Sequence, residues 1–205
     1  MLYDWLSKNW IEVFGTITGI IYVFLEIKQN LWLWPVGITT SAVYIWVFFT
    51  SKFYADMSLQ GYYLVISCLG WYWWVRGSGC ESEGGEQGAG SSEGGSEKLR
   101  VTRLKFRTGL ILVGAFVLLY FILWFVLSHL TDSPVPEWDS FVTSLSIIAT
   151  WMLARKIYEH WFLWIVVNTT SSILFSVRGL YPTVLLYLVY LIMSFVGLRE
   201  WKRSL

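Results

Sequence analysis

Gly109-Leu-Ile-Leu-Val-Gly-Ala-Phe-Val-Leu-Leu-Tyr-Phe-Ile-Leu-Trp-Phe-Val-Leu127 carries no charge and no proline. A helix rising 1.5 Å per residue needs about 20 such residues to cross the hydrocarbon of a bilayer. This stretch therefore reads as the centre of a membrane span over 108–130. The same test along the chain finds six more, near 10–27, 31–50, 56–75, 139–157, 161–177 and 181–200. The composition agrees. The 205 residues are 56% hydrophobic and 14% charged, with 14 Trp, 12 Tyr and 13 Phe and a mean hydropathy of +0.55. Disorder and an ordinary soluble domain are both excluded by that balance. The expected class is an all-α integral membrane protein with seven transmembrane helices. No basic, cleavable leader opens the sequence, so no removed signal peptide is expected.

Charge is informative by location. Seven spans put the termini on opposite sides. Twelve of the 15 basic residues, among them Arg76, Arg103, Arg107, Arg155, Lys156 and Arg203, then share the C-terminal side, against Lys8, Lys52 and Arg178 on the other. The positive-inside rule places the C-terminus in the cytoplasm and the N-terminus outside. Residues 77–98, Gly-Ser-Glu-rich and without an apolar seed, read as a flexible cytoplasmic linker containing Cys80. Neither Cys68 nor Cys80 is placed for a disulfide or a metal.

The central span also sits between two stretches that resemble each other. Trp34-x3-Ile38-Thr-Thr-Ser41 resembles Trp164-x3-Asn168-Thr-Thr-Ser171. Tyr63, Ser67, Gly70 and Trp74 recur as Tyr190, Ser194, Gly197 and Trp201. Three spans are an odd number, so a direct copy would be inverted. One extra span restores its orientation. The reading is a 3+1+3 parallel pseudo-symmetric repeat: a first three-helix unit over 1–76, the linker over 77–100, a linking helix and outer loop over 101–136, and a second unit over 137–205. Such halves enclose a site near mid-membrane in transporters. Helical packing alone would also favour the shared small residues.

Trp161, Trp164 and Asn168 are spaced i, i+3, i+7 and share one helix face. An unpaired amide in an apolar span costs free energy, so Asn168 needs a partner. Two indoles beside an amide would stack a flat ring and fix its edge; a belt Trp pair with an interhelical hydrogen bond reads equally well. Gln60 is a second amide in an apolar stretch, for which a packing role is the alternative. Glu12, Glu26, Asp56, Asp139 and Glu159 all fall near span ends, as do His129 and His160, and solvated interfacial roles are expected for them. No phosphate loop, nucleophile elbow or His/Cys cluster appears, so neither an ATP-driven step, nor catalysis, nor a cofactor is expected. The one-sided basic residues give no nucleic-acid surface.

The run Glu159-His-Trp161-x2-Trp164-x3-Asn168, the stretch Phe53-Tyr54-Ala55 leading to Gln60, and Gly70-Trp71-Tyr72-x-Trp74 resemble the Pnu vitamin transporters, over nearly the whole chain except 77–100. These include nicotinamide riboside (PnuC) and thiamine (PnuT) transporters, with a fold similar to the SWEET sugar transporters. The resemblance implies facilitated diffusion of a flat cationic vitamin in a bacterial inner membrane. It also implies a separate cytoplasmic kinase that traps the product. It carries Trp161, Trp164, Asn168 and Gln60 into the substrate site. Trp34 and Tyr54 are added from the repeat. Trp32-Leu-Trp34-Pro35-Val-Gly37-Ile38, with Phe14-Gly15-Thr16 before it, looks like the thiamine branch, while Gln60 points to nicotinamide riboside. Thiamine is the favoured expectation and nicotinamide riboside the alternative. A non-transporting scaffold or receptor is the reading from another class. Oligomeric state is not legible.

Overall fold

The structure is a computed structural model that describes residues 10–50, 54–76, 99–131 and 134–205. The linker residues 77–98, with Cys80, and the residues Lys52 and Phe53 lie outside the described residues, as do the side chains of Glu12, Tyr54 and Asp56. Seven α-helices make up the described part: α1 Trp10–Ile27, α2 Leu33–Thr50, α3 Tyr54–Arg76, α4 Phe106–Leu130, α5 Pro136–Ala154, α6 His160–Val177 and α7 Tyr181–Lys202. The spans read from the sequence match them within about three residues. The largest shift is in α5, which starts early because Pro136 fits a first helical position. It ends early because Lys156 adopts φ 51°, a left-handed stop.

Helices α2, α4, α6 and α7 are long and apolar enough to cross a membrane by length and composition alone. Helix α1 is as apolar as these, over a shorter stretch, Val13–Ile27, whereas α3 and α5 carry more polar residues where they face protein. In α5, Ser140, Ser144, Ser146 and Thr150 are buried. The hydroxyls of Ser144, Ser146 and Thr150 donate to carbonyls one turn back, at 2.7–2.8 Å, so small polar residues pack inside without orphaned groups. Helix α4 is the opposite case. It packs on α5 alone and leaves Phe106, Leu110, Ile111, Val113 and Leu118 exposed.

Two triplets are visible in the packing. Helix α2 packs on α1 and α3, and α6 packs on α5 and α7; the triplets meet through α1 against α7 and α3 against α5. The boundaries follow one spacing of 127 residues: 27 to 154, 33 to 160, 50 to 177 and 54 to 181. Side chains keep it too. The Trp34 ring lies on Gly70 and edge-on to Trp74 at 5.3 Å, and the Trp161 ring lies on Gly197 and edge-on to Trp201 at 5.9 Å. Trp74 Nε1 donates to the carbonyl of Ala154 at 3.2 Å, and Trp201 Nε1 to that of Glu26 at 3.0 Å. This register corrects the sequence alignment in the second span. Trp34 answers Trp161 and not Trp164. Gly37 stands at the place of Trp164, and Ser41 at that of Asn168.

Candidate functional site

A cavity of about 340 Å³ lies between the triplets, walled by α1, α2, α3, α5, α6 and α7. Such a volume is at the lower end of small-molecule sites. Glycines make the room. A Cβ on Gly37 would come within 3.0 Å of Ser67 Oγ and 3.1 Å of the Tyr22 ring, and Gly15 and Gly19 seat the hydroxyls of Tyr44 and Tyr190 against α1.

Gln60, Trp161, Trp164 and Asn168, four of the six residues expected in the site, line this cavity together. Asn168 Nδ2 donates to Ser194 Oγ at 3.1 Å, and that hydroxyl donates to the Tyr190 carbonyl at 2.8 Å. The amide is thus held by α7, and its Oδ1 is left to accept from a ligand. The interhelical bond that one reading of Asn168 expected is present. The indole Nε1 groups of Trp161 and Trp164 are buried with no hydrogen-bond partner among the described residues. A buried orphan donor is costly, and a ligand acceptor would satisfy it. Trp34 Nε1, away from the cavity, is likewise buried without a partner among the described residues.

Trp34 stands apart from these four: it is fully buried, packed against Gly70 and Trp74, and is not among the described residues that line the cavity. The side chain of Tyr54 lies outside the described residues.

The rest of the wall is rich in hydroxyls. Thr18, Tyr22, Thr40, Ser41, Tyr63, Ser67, Ser146, Thr150, Tyr187, Tyr190 and Ser194 are half of its 22 lining residues. Tyr63 with Tyr190 and Ser67 with Ser194 are identical at the 127-residue spacing. Gly37 with Trp164, Ser41 with Asn168 and Gln60 with Tyr187 are not. The wall is symmetric in position and asymmetric in chemistry, which suits a ligand whose two ends differ.

Sequence reasoning missed the acid of this wall. Glu26 was expected at a solvated span end. It is 2% exposed, it lines the cavity, and its Oε1 lies 3.1 Å from Nε2 of His160, which is 0% exposed. The partners are 134 positions apart, a pairing no local pattern reveals. His160 is likewise corrected from interfacial to buried. Glu159 does stay near an end, where Oε2 accepts from the Leu104 amide at 2.9 Å, and Asp139 pairs with Arg178 at 3.5 Å.

Comparison with known proteins places this architecture. The nicotinamide mononucleotide transporter family matches residues 9–203. The chain is 25% identical over 215 residues to the nicotinamide riboside transporter PnuC of Escherichia coli K12, covering 96% of this chain and 86% of that one. It is 24% identical over 193 residues to the riboflavin/roseoflavin transporter RibM of Streptomyces davaonensis, covering 94% and 84%. Its fold is similar to the crystal structure of the vitamin B3 transporter PnuC, with a TM-score of 0.71 and 25% identity, over 99% of this chain and 85% of that one. A match spanning nearly every residue, on seven helices around a central cavity, shows that the chain belongs to the nicotinamide mononucleotide transporter family and is a multi-pass membrane vitamin transporter.

Proposed function

We propose that the protein carries nicotinamide riboside across the bacterial cytoplasmic membrane by facilitated diffusion, with two pseudo-symmetric halves rocking about the central cavity. The observation that carries the reading is the wall itself: two amides, two indoles and a ring of hydroxyls, with no Lys or Arg among the described lining residues. A pyridinium ring suits the faces of Trp161 and Trp164 by cation–π attraction. Asn168 and Gln60 suit its carboxamide, and the Ser, Thr and Tyr hydroxyls suit a ribose. A phosphate would find no cation there, so the nucleoside fits and the mononucleotide does not.

Thiamine, the expectation from the first-repeat stretch, gives way because the relatives reported above name nicotinamide riboside and riboflavin, not thiamine. The two units over 1–76 and 137–205, the cytoplasmic C-terminus and a separate kinase that traps the product belong to the same proposal.

Titration of the purified protein with nicotinamide riboside, thiamine and riboflavin tests it, followed by uptake into proteoliposomes without an imposed ion gradient. Saturable uptake of nicotinamide riboside is expected. Binding of thiamine alone would move the substrate, and no binding of any of the three would leave a scaffold or receptor as the reading.

A further inference from the structure

An ionisable side chain inside a membrane protein is rare because its desolvation is costly, and where one persists it marks function. Glu26 is the only acidic or basic residue among the described residues that line the cavity. His160 holds it from behind: the imidazole is fully buried, lines no part of the cavity, and touches the rings of Trp161 at 4.7 Å and Trp201 at 4.6 Å. His160 Nδ1 lies 2.7 Å from the Ile157 carbonyl, which can only accept, so Nδ1 carries a proton. With Nδ1 protonated, the contact between Nε2 and Glu26 Oε1 holds one further proton. The pair is neutral as a whole and polar in direction. Its basic end lies in protein and its acidic end faces the cavity.

Packing does not require this pair. At the 127-residue spacing, Glu26 corresponds to Leu153 and His160 to Leu33, and both leucines are fully buried. The symmetry-related positions, again one in each half, hold two apolar side chains. A buried ion pair is seldom more stable than such a replacement, so stability does not account for it.

We propose that Glu26 is the charge-selecting residue of the cavity, admitting a cationic ring in preference to a neutral or anionic one, and that His160 is its positioning residue. The inference rests on the nicotinamide riboside reading and deepens it. The acidic end attracts the pyridinium charge across a poorly screened interior and repels a phosphate, without leaving a net charge in the empty site.

The test compares uptake of nicotinamide riboside with uptake of its reduced dihydro form, which has nearly the same shape and no ring charge. The proteins are wild type, Glu26→Gln, and the double variant Glu26→Leu/His160→Leu. The double variant copies the leucines of the other half and guards against misfolding, checked by a single symmetric peak on size exclusion. Wild type is expected to prefer the cation by about tenfold or more. Both variants are expected to lose that preference, with a ratio near one. A ratio unchanged in either folded variant, or no preference in wild type, overturns the inference alone. Uptake of neither compound by wild type overturns the substrate reading and this inference with it.

Discussion

At the scale of single residues, two glycines give an internal control. Gly70 and Gly197 each lie under an indole ring so close that an added Cβ would collide with it. The collision is the same and the consequences differ. Trp34 does no work at the cavity wall, whereas Trp161 lines it. Both Gly70→Ala and Gly197→Ala should overpack, costing about 1–3 kcal/mol, read as a lower melting temperature in detergent. Only Gly197→Ala should also weaken substrate binding by calorimetry, since it displaces a wall residue. Trp164→Ala removes a ring face from a desolvated site and should raise Kd about thirtyfold or more. Equal Kd in Gly70→Ala and Gly197→Ala would place Trp161 outside the substrate contacts. These residues also mark how far the sequence could be read. Trp161, Trp164 and Asn168 were legible because i, i+3, i+7 spacing needs only one helix. Gln60 was legible as an amide in an apolar run. Trp34 was not, because the local likeness of Trp34-x3-Ile-Thr-Thr-Ser to Trp164-x3-Asn-Thr-Thr-Ser is three residues out of the structural register. Glu26 and His160 were not, because their meeting depends on how α1 and α6 pack.

At the scale of elements, α4 stands apart. It touches α5 alone, contributes nothing to the cavity, and shows large apolar side chains along most of its length. Its uncharged run was the plainest feature of the sequence because, apart from its one seam with α5, it faces away from the protein. Helices α3 and α5 were fainter for the opposite reason: they face each other and the cavity, and carry the Ser, Thr, Tyr and Gln that lower their hydropathy. The difference predicts tolerance. Trp124→Ala in α4 should leave Kd within about twofold, as distant surface substitutions do. A polar-to-larger change on the inner face of α5 should not. Ser146→Leu would fill part of the cavity that Ser146 lines and remove a hydroxyl that bonds the Val142 carbonyl and the Tyr63 side chain. Loss of uptake with retained folding, shown by an unchanged elution volume, is the expected result.

At the scale of the whole molecule, the halves meet through two equivalent contacts, α1 on α7 and α3 on α5, and both triplets send side chains into one cavity. The alternating access proposed above needs such an arrangement, because opening one end requires contacts that can separate without unfolding a helix. The pair Glu26–His160 and the bond from Trp201 Nε1 to the Glu26 carbonyl tie α1 to the second triplet at the end where α1 and α7 finish. By symmetry, Trp74 Nε1 on the Ala154 carbonyl ties α5 to the first triplet at that same end. That end also carries Arg76, Arg155, Lys156, Arg199, Lys202 and Arg203, which the positive-inside rule assigns to the cytoplasm. Arg155 and Lys156 lie over the rings of Trp73 and Trp74 at 4.9 and 4.2 Å, so the basic belt and the inter-triplet seam are one structure. Orientation therefore has a direct test. In a Cys68→Ser background, Cys80 is the single thiol and lies in the sequence between α3 and α4, on the basic side. A membrane-impermeant maleimide should leave it unlabelled in intact cells and label it in inside-out vesicles. The reverse pattern would place the basic end outside, and the seam would then close the outward face of the cavity instead of the inward one.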